Sequence, residues 1–170
     1  PPKKGYQSDE DPDAWIILEV ATFGELSKIY KNLNHQLPAK SAIANDFGLD
    51  KHSDLSSWLE TMAYLRNMVA HHSRLWSRNM VKKPTTVTKT RNTWLEFPLA
   101  PAVEKRPFYL ISVLLYLCDA VGEGEHLRND IHRLVYRYRH LPLYRMGFFQ
   151  RWADQPLWRL SLMRRICLYF

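Results

Sequence analysis

Three side chains in the string RNMVAH, at residues 66–71, are the ones best suited to chemistry. Arg66 carries a planar, permanently charged guanidinium that can bind phosphate oxygens in pairs. His71 carries an imidazole, which can donate or accept a proton near neutral pH. Asn67 lies four residues before His71, so on a helix its amide would neighbour the imidazole and could fix the tautomer. The string therefore offers a phosphate-binding group, an acid and base, and an orienting group.

The spacing of Arg66 and His71 indicates a site built from two copies of the chain. The two residues are five apart, which places them roughly 140° apart around a helix axis. One helix therefore does not aim both side chains at one small target. Two copies of the helix that meet across a symmetry axis could do so, and we expect a homodimer.

One long helix is predicted to carry these residues. Residues 53–80 contain no Pro or Gly, and their apolar residues repeat at helical spacing. The stripe predicted to face the core consists of Trp58, Met62, Leu65, Val69, His72 and Trp76. The polar face is predicted to carry Glu60, Asn67, His71, Arg74 and Arg78. Because His72 shares the core stripe, a packed histidine bonded to a backbone carbonyl is favoured over a supporting catalytic role.

Several other chemistries lack their motifs. The sequence has no P-loop, no GxGxxG, no HExxH and no GxSxG, and no pair of carboxylates is spaced as a glycosidase needs. His71 and His72 are adjacent and would point about 100° apart on a helix, which is a poor arrangement for binding one metal ion. We therefore expect neither a metal nor a cofactor.

Cleavage of RNA is the reaction that suits His and Arg without a metal. RNA carries its own nucleophile, the 2′-OH, so cleavage needs a base, an acid and a cation that stabilises the charge around phosphorus. Two histidines and two arginines, one pair from each subunit, would supply the complete set. We therefore expect Arg66 to stabilise the phosphate, His71 to act as acid and base, and Asn67 to orient the imidazole.

Several strings of this sequence resemble a known family. Arg66-Asn67, followed after three residues by His71, fits the Arg-x4-6-His motif of the HEPN superfamily. The longer string LRNMVAHHSRLWSR resembles the signature of the Abi-like family, the abortive-infection proteins of bacteria. Similarity to that family extends to DAWIILEVATFGELSKIYKNL and to MGFFQRWADQPLW. The resemblance therefore covers nearly the whole chain.

This resemblance implies a HEPN-like helical bundle and a metal-independent endoribonuclease that acts in abortive infection and phage defence. Its composite site would form at a dimer interface and leave a 2′,3′-cyclic phosphate. The acidic residue that matches the family is Glu19, which could orient Arg66 or His71; a solvated or ion-paired carboxylate is the alternative. The alternative function is a non-catalytic HEPN module that binds RNA or nucleotides or mediates dimerisation.

The resemblance also implies a position within a longer protein. Abi-like proteins carry another segment before the part matched here, so we expect this chain to be the C-terminal half of such a protein. That preceding segment is a further expected partner.

Composition bounds the class of protein. A chain of 170 residues, 46% of them apolar, is one domain with enough apolar side chains for a core. The net charge of +7 favours a polyanionic partner such as RNA, although ordinary surface charges explain it equally well. Only Cys118 and Cys167 are present, and the longest apolar run, 108–118, is too short to cross a bilayer. We expect a cytoplasmic protein without a membrane span.

The remaining pattern is helical, so the predicted fold class is all-α. Residues 1–12 are predicted to be a flexible lead-in to one helical domain over 13–170. Further helices are predicted over residues 14–33, 39–47, 106–121 and 126–139, with a long loop over 81–104 and an irregular segment from 141. The first of these helices is predicted to turn Trp15, Leu18, Thr22, Leu26, Ile29 and Leu33 inward, with Gly24 at a close helix crossing.

The charges on the last helix and on the long loop could contact RNA. The helix over 126–139 is predicted to turn Leu127, Ile131, Leu134 and Tyr138 inward and Arg128, His132, Arg133, Arg137 and Arg139 outward. Candidate contacts to the RNA backbone are Arg74, Arg78, Lys82, Lys83, Lys89 and Arg91. Trp94 could stack on a base, although a solvated loop with one anchoring Trp is the favoured alternative. A DNA-binding regulator is disfavoured because no helix-turn-helix spacing stands out.

Overall fold

The fold is an all-α bundle, as the sequence predicts. A computed structural model describes residues 13–160, which contain six α-helices, four short 3-10 turns and no strand. The helices are α1 (Ala14–Val20), α2 (Phe23–Asn32), α3 (Pro38–Asp46), α4 (His52–Ala70), α5 (Pro107–Ala120) and α6 (Gly124–Arg137). Helices α2 and α3 pack on α4, and α4 and α6 pack on α5. The predicted lead-in at 1–12 and Cys167 lie outside the described residues.

Helix α5 forms the middle of the core, as its nearly continuous apolar sequence predicts. Pro107 begins the helix, where a missing backbone N–H costs nothing. Phe108, Leu110 and Val113 have no exposed surface. A helix that is apolar on all sides must be covered on all sides, and here α4, α6 and the two irregular segments cover it.

The long segment between α4 and α5 is part of the core rather than a solvated loop. The Trp58 indole donates to the Thr85 carbonyl at 2.9 Å, and the Trp94 indole donates to the Val87 carbonyl at 2.7 Å. Trp94 is only 6% exposed, so the prediction that it could stack on an RNA base is wrong. Of the alternative, a solvated loop with one anchoring Trp, the anchoring Trp is confirmed and the solvated loop is wrong, because Val87, Trp94 and Leu95 are buried.

The predicted helix over 14–33 is broken at Thr22. The Thr22 hydroxyl accepts from the Glu25 backbone N–H, and the Glu25 carboxylate accepts from the Thr22 backbone N–H. This capping box begins a new helix. The predicted inward stripe is wrong for α1, which buries no residue, and α2 buries Ser27 and Tyr30 instead. A Cβ on Gly24 would meet only the Thr22 hydroxyl, at 3.9 Å, so Gly24 marks no close crossing.

Helix α4 ends at Ala70, ten residues before the end that the sequence predicts. The Ser73 N–H donates to the Met68 carbonyl at 2.9 Å and the His72 N–H donates to the Val69 carbonyl at 3.0 Å. These two bonds form a Schellman motif, with His72 in the left-handed region at φ 51°. Val69 and His72 are exposed instead of facing the core, so that part of the predicted stripe is wrong.

The C-terminal segment packs as short turns, as predicted, and it changes the orientation of α6. The Arg128 Nε donates to the Leu157 carbonyl at 2.8 Å, and the His132 Nε2 lies 2.8 Å from the Trp158 carbonyl. Both residues were predicted to face solvent, and both contact the chain. Conversely, Leu134 and Tyr138 were predicted to face inward and are exposed.

Candidate functional site

The predicted site residues lie on the surface at the C-terminal end of α4. Arg66, Asn67 and His71 are all exposed. The helix keeps Arg66 and Asn67 within its last turns, whereas His71 is the residue at which the helix ends. The His71 backbone N–H still donates to the Asn67 carbonyl at 3.0 Å, so His71 occupies the last position of the helical surface.

Asn67 contacts the arginine rather than the histidine. The Arg66 guanidinium donates to the Asn67 side-chain oxygen at 3.1 Å. Between Asn67 and His71 the hydrogen bond joins backbone atoms only, from the His71 N–H to the Asn67 carbonyl at 3.0 Å. The expectation that the Asn67 amide fixes the imidazole tautomer is therefore wrong for this structure. Asn67 orients the guanidinium instead.

Arg66 lies between two concave surfaces. On one side, a polar cavity of about 650 Å³ opens between α2 and α4. Its lining includes Thr22, Ser27, Lys28, Lys31, Glu60, Tyr64, Asn67 and Lys82. On the other side, an apolar groove of about 790 Å³ runs between α4, α5 and α6. Arg66 therefore lines both surfaces, and its guanidinium, bonded to Asn67, lies on the side of the polar cavity.

The polar cavity is organised by a carboxylate held between two lysines. The Lys31 Nζ lies 3.2 Å from one Glu60 oxygen, and the Lys82 Nζ bonds to the other oxygen. The hydrogen bonds from Lys82 and then from Lys31 lower the pKa of Glu60 below its ordinary value. Lys82, which the sequence suggests for RNA contact, thus has an internal partner but still faces the cavity.

The other predicted RNA contacts are dispersed. Lys83 pairs with Glu104 at 3.2 Å, and Arg91 pairs with Asp50 at 2.9 Å. Arg74 and Arg78 follow the end of α4, so they do not share a helix face with Arg66, and the Arg78 guanidinium donates to the Arg74 carbonyl at 3.5 Å. Lys89 is exposed.

The two supporting residues are separate from the central three. Glu19 lies on the exposed helix α1, and among residues 13–160 its side chain has no hydrogen bond or ion pair. His72 is exposed, so the alternative of a packed, carbonyl-bonded histidine is wrong. The structure brings neither side chain against Arg66 or His71.

Sequence reasoning missed the cavity residues on α2. Lys28 and Lys31 are three residues apart, which places them side by side on a helix. The sequence carries that spacing, but only the packing of α2 on α4 shows that it faces Glu60 and Arg66. In the described part of the chain, no group of three or more His, Cys, Asp or Glu side chains could hold a metal ion.

The fold and this site define a helical bundle with an exposed Arg-Asn pair and a His at the end of its central helix. Residues 3–77 match the family model described as Abi-like protein. The match confirms the resemblance to that family over the part of the chain that contains α1 to α4. Neither the curated proteins nor the solved structures gave a match. No helix within residues 13–160 is long and apolar enough to cross a membrane.

Proposed function

We propose that this protein is a metal-independent endoribonuclease of the HEPN type that acts in bacterial abortive infection and phage defence. The observation that carries the proposal is the joint exposure of Arg66 and His71 at the end of α4, with the guanidinium already held by Asn67. An oriented cation and a proton-transfer group are what cleavage by the RNA 2′-OH requires.

In the proposed reaction, two copies of His71 each transfer one proton and Arg66 binds the phosphate. His71 of one copy takes the proton of the 2′-OH, and the 2′-oxygen bonds to phosphorus. The bond between phosphorus and the 5′-oxygen breaks, and His71 of a second copy protonates that oxygen. The products are a 2′,3′-cyclic phosphate and a 5′-hydroxyl. Arg66 binds the non-bridging oxygens, whose negative charge grows in the transition state.

Two copies are needed because one copy offers one such histidine. Arg66 and His71 are five residues apart, which places them roughly 140° apart around the axis of α4, so one chain does not aim both side chains at a single phosphate. A symmetric pair of α4 ends would supply two arginines and two histidines around one linkage. The homodimer is part of this proposal.

The polar cavity beside Arg66 would hold the nucleotide next to the scissile linkage. Lys28, Lys31 and Lys82 line this cavity and outnumber its two carboxylates, those of Glu25 and Glu60. Lysines bind RNA phosphates, and the Tyr64 ring at the cavity wall could stack on a base.

A cleavage assay in the presence of a chelator tests the proposal. We expect the purified chain to cut labelled single-stranded RNA in EDTA. His71→Ala should lower the rate by about 10²–10⁴-fold and Arg66→Ala by about 10²–10³-fold. The matched controls are His126→Ala and Arg137→Ala, since both residues are exposed on α6. Equal rates for the site variants and the controls would contradict the proposal.

The alternative is a binding or dimerisation module without catalysis, and the apolar groove beside Arg66 favours considering it. In that case Arg66→Ala and His71→Ala would lower dimer stability or RNA affinity, and no cleavage would occur in the wild type. In the ribonuclease, His71→Ala should keep the wild-type melting temperature, because an exposed substitution changes the free energy of unfolding by no more than about 0.5 kcal/mol.

A further inference from the structure

Helix α1 exposes its large apolar side chains to solvent. Its sequence is AWIILEV, and none of its residues is buried. Trp15 is 63% exposed, Leu18 48% and Val20 77%. Each such side chain left in water forfeits about 1.5–3 kcal/mol that burial would contribute. A contiguous apolar patch of this kind marks a contact surface.

The apolar groove beside Arg66 is a second uncovered surface. It is lined by side chains of α4, α5 and α6, including Met62, Leu114, Leu117, Leu127 and Ile131. Val69 and Val121 at the groove are 59% and 62% exposed. Its volume of about 790 Å³ falls within the range of sites that enclose a ligand or a short segment. An apolar helix is the segment that such grooves bind.

The α1 helix of the same chain does not reach this groove. Ile17 and Val20 line a cleft with Ile29 and Leu33, toward the end of α2. Phe23, the first residue of α2, lines the groove, and no residue of α1 does. Phe23 and Ile29 are six residues apart, about 9 Å along the helix axis. The capping box at Thr22 holds this direction of entry into α2.

The two surfaces are also complementary in charge. Glu19 is the only charged residue in α1, and Arg66 is the only charged residue that lines the groove. Among residues 13–160 neither side chain has an ion pair. Each copy therefore carries an apolar helix with a single anion and an apolar groove with a single cation at its edge.

We propose that α1 of each copy docks into the apolar groove of a second copy, with Glu19 against Arg66 of that copy. The exchange is reciprocal, so it closes as a symmetric dimer and leaves neither helix uncovered. It deepens the proposed function, on whose homodimer it rests, because Glu19 of the second copy then positions the arginine assigned to the phosphate.

Sedimentation of the purified chain without RNA tests the docking. The wild type should be a dimer. Leu18→Asp puts a charge on α1, and Val69→Asp puts one in the groove; each should weaken the dimer by at least about 30-fold. Val81→Asp is the matched control, because Val81 is 91% exposed and lines neither surface, and it should remain dimeric. The far-UV circular dichroism spectrum should be unchanged in all three variants, since the three side chains are exposed.

Two further mixtures separate docking between copies from other effects. Leu18→Asp keeps an intact groove and Val69→Asp keeps an intact α1, so mixing the two variants should restore dimers with one helix docked. Glu19→Arg and Arg66→Glu should each weaken the dimer, and the double variant should recover it. A monomeric wild type, dimers unaffected by Leu18→Asp and Val69→Asp, or a double variant no better than the singles would each overturn the docking.

The readouts keep this inference separate from the ribonuclease proposal. A chain that forms the predicted dimer but leaves RNA intact would overturn only the ribonuclease. A chain that cleaves RNA through His71 while Leu18→Asp leaves its dimer intact would overturn only the docking of α1.

Discussion

The aromatic cluster under the long segment and the C-terminal end of α4 differ in burial. Side chains in the cluster are packed and hydrogen-bonded, whereas those at the helix end are exposed. In the cluster, the rings of Trp58, Trp94 and Tyr116 lie 5.0–5.3 Å apart, centroid to centroid, and both indole N–H groups have carbonyl partners. At the end of α4, His71 and Val69 are exposed. The same helix thus contributes Trp58 to the core and exposes a reactive side chain, His71, at its C-terminal end.

This difference separates the residues that stabilise the fold from those that are available for activity. Substitutions in the aromatic cluster should lower the free energy of unfolding, whereas substitutions at the end of α4 should leave it unchanged and alter activity.

Trp94→Ala should have the largest effect. It removes a buried ring from the contacts with Trp58, Tyr109 and Tyr116 and leaves a cavity, which costs about 3–5 kcal/mol. Thermal and denaturant unfolding measure the loss, with the exposed Val81→Ala as control. A Trp94→Ala chain that melts like the control would mean that the long segment is not part of the core.

Gly48→Ala should cost less, about 1–3 kcal/mol. Gly48 has φ +71°, and a Cβ there would lie 2.7 Å from both the Asn92 amide nitrogen and the Tyr116 hydroxyl. Gly122 offers a matched control, because it has φ +83° with nothing within 4 Å of a Cβ. Denaturant titration should rank Gly48→Ala as the more damaging. The reverse order would show that the end of α3 is not packed against the long segment.

Glu60→Gln should have the smallest effect, between a few tenths and about 1 kcal/mol, because Glu60 and its lysines are partly exposed and solvent screens the pairs. The lysines lower the pKa of Glu60 in the folded chain below its ordinary value of 4.5. The ion pairs therefore stabilise the fold above that value and are lost as the pH falls through the folded pKa. Melting temperatures of wild type and variant should differ at pH 7 and converge in acid. A difference that grows in acid would contradict this assignment.

Strong local patterns made the core predictable from sequence. Helix α5 is apolar on nearly every side and begins at a Pro, and Gly48 follows the end of α3 in the left-handed region. Each of these features acts through covalent geometry or burial that the chain carries locally. The helices α3 and α5 accordingly lie within a few residues of their predicted bounds.

Other elements were missed for two different reasons. The break before α2 has a local signal, because Thr22 and Glu25 have the spacing of a capping box. The end of α4 has none, since His72 adopts a left-handed conformation that usually needs Gly or Asn. Arg128 and His132 face inward only because the C-terminal segment supplies carbonyls, which no helical periodicity could predict.

The candidate site was predicted in composition but not in its contacts. The exposure of Asn67 and His71 agrees with their place on the predicted polar face, but the Asn67 amide binds the guanidinium of Arg66 rather than the imidazole. His71 keeps the backbone hydrogen bond of a helical position to Asn67, so helical spacing alone does not show which of its two neighbours the amide binds.

Attack by the RNA 2′-OH is tested most directly by incubating the chain in EDTA with two strands of identical sequence, one RNA and one fully 2′-O-methylated. If Arg66 and His71 promote attack by the 2′-OH, the wild-type chain cuts only the RNA, and the upstream fragment ends in a 2′,3′-cyclic phosphate. An intact RNA strand, or equal cleavage of the methylated strand, would contradict it.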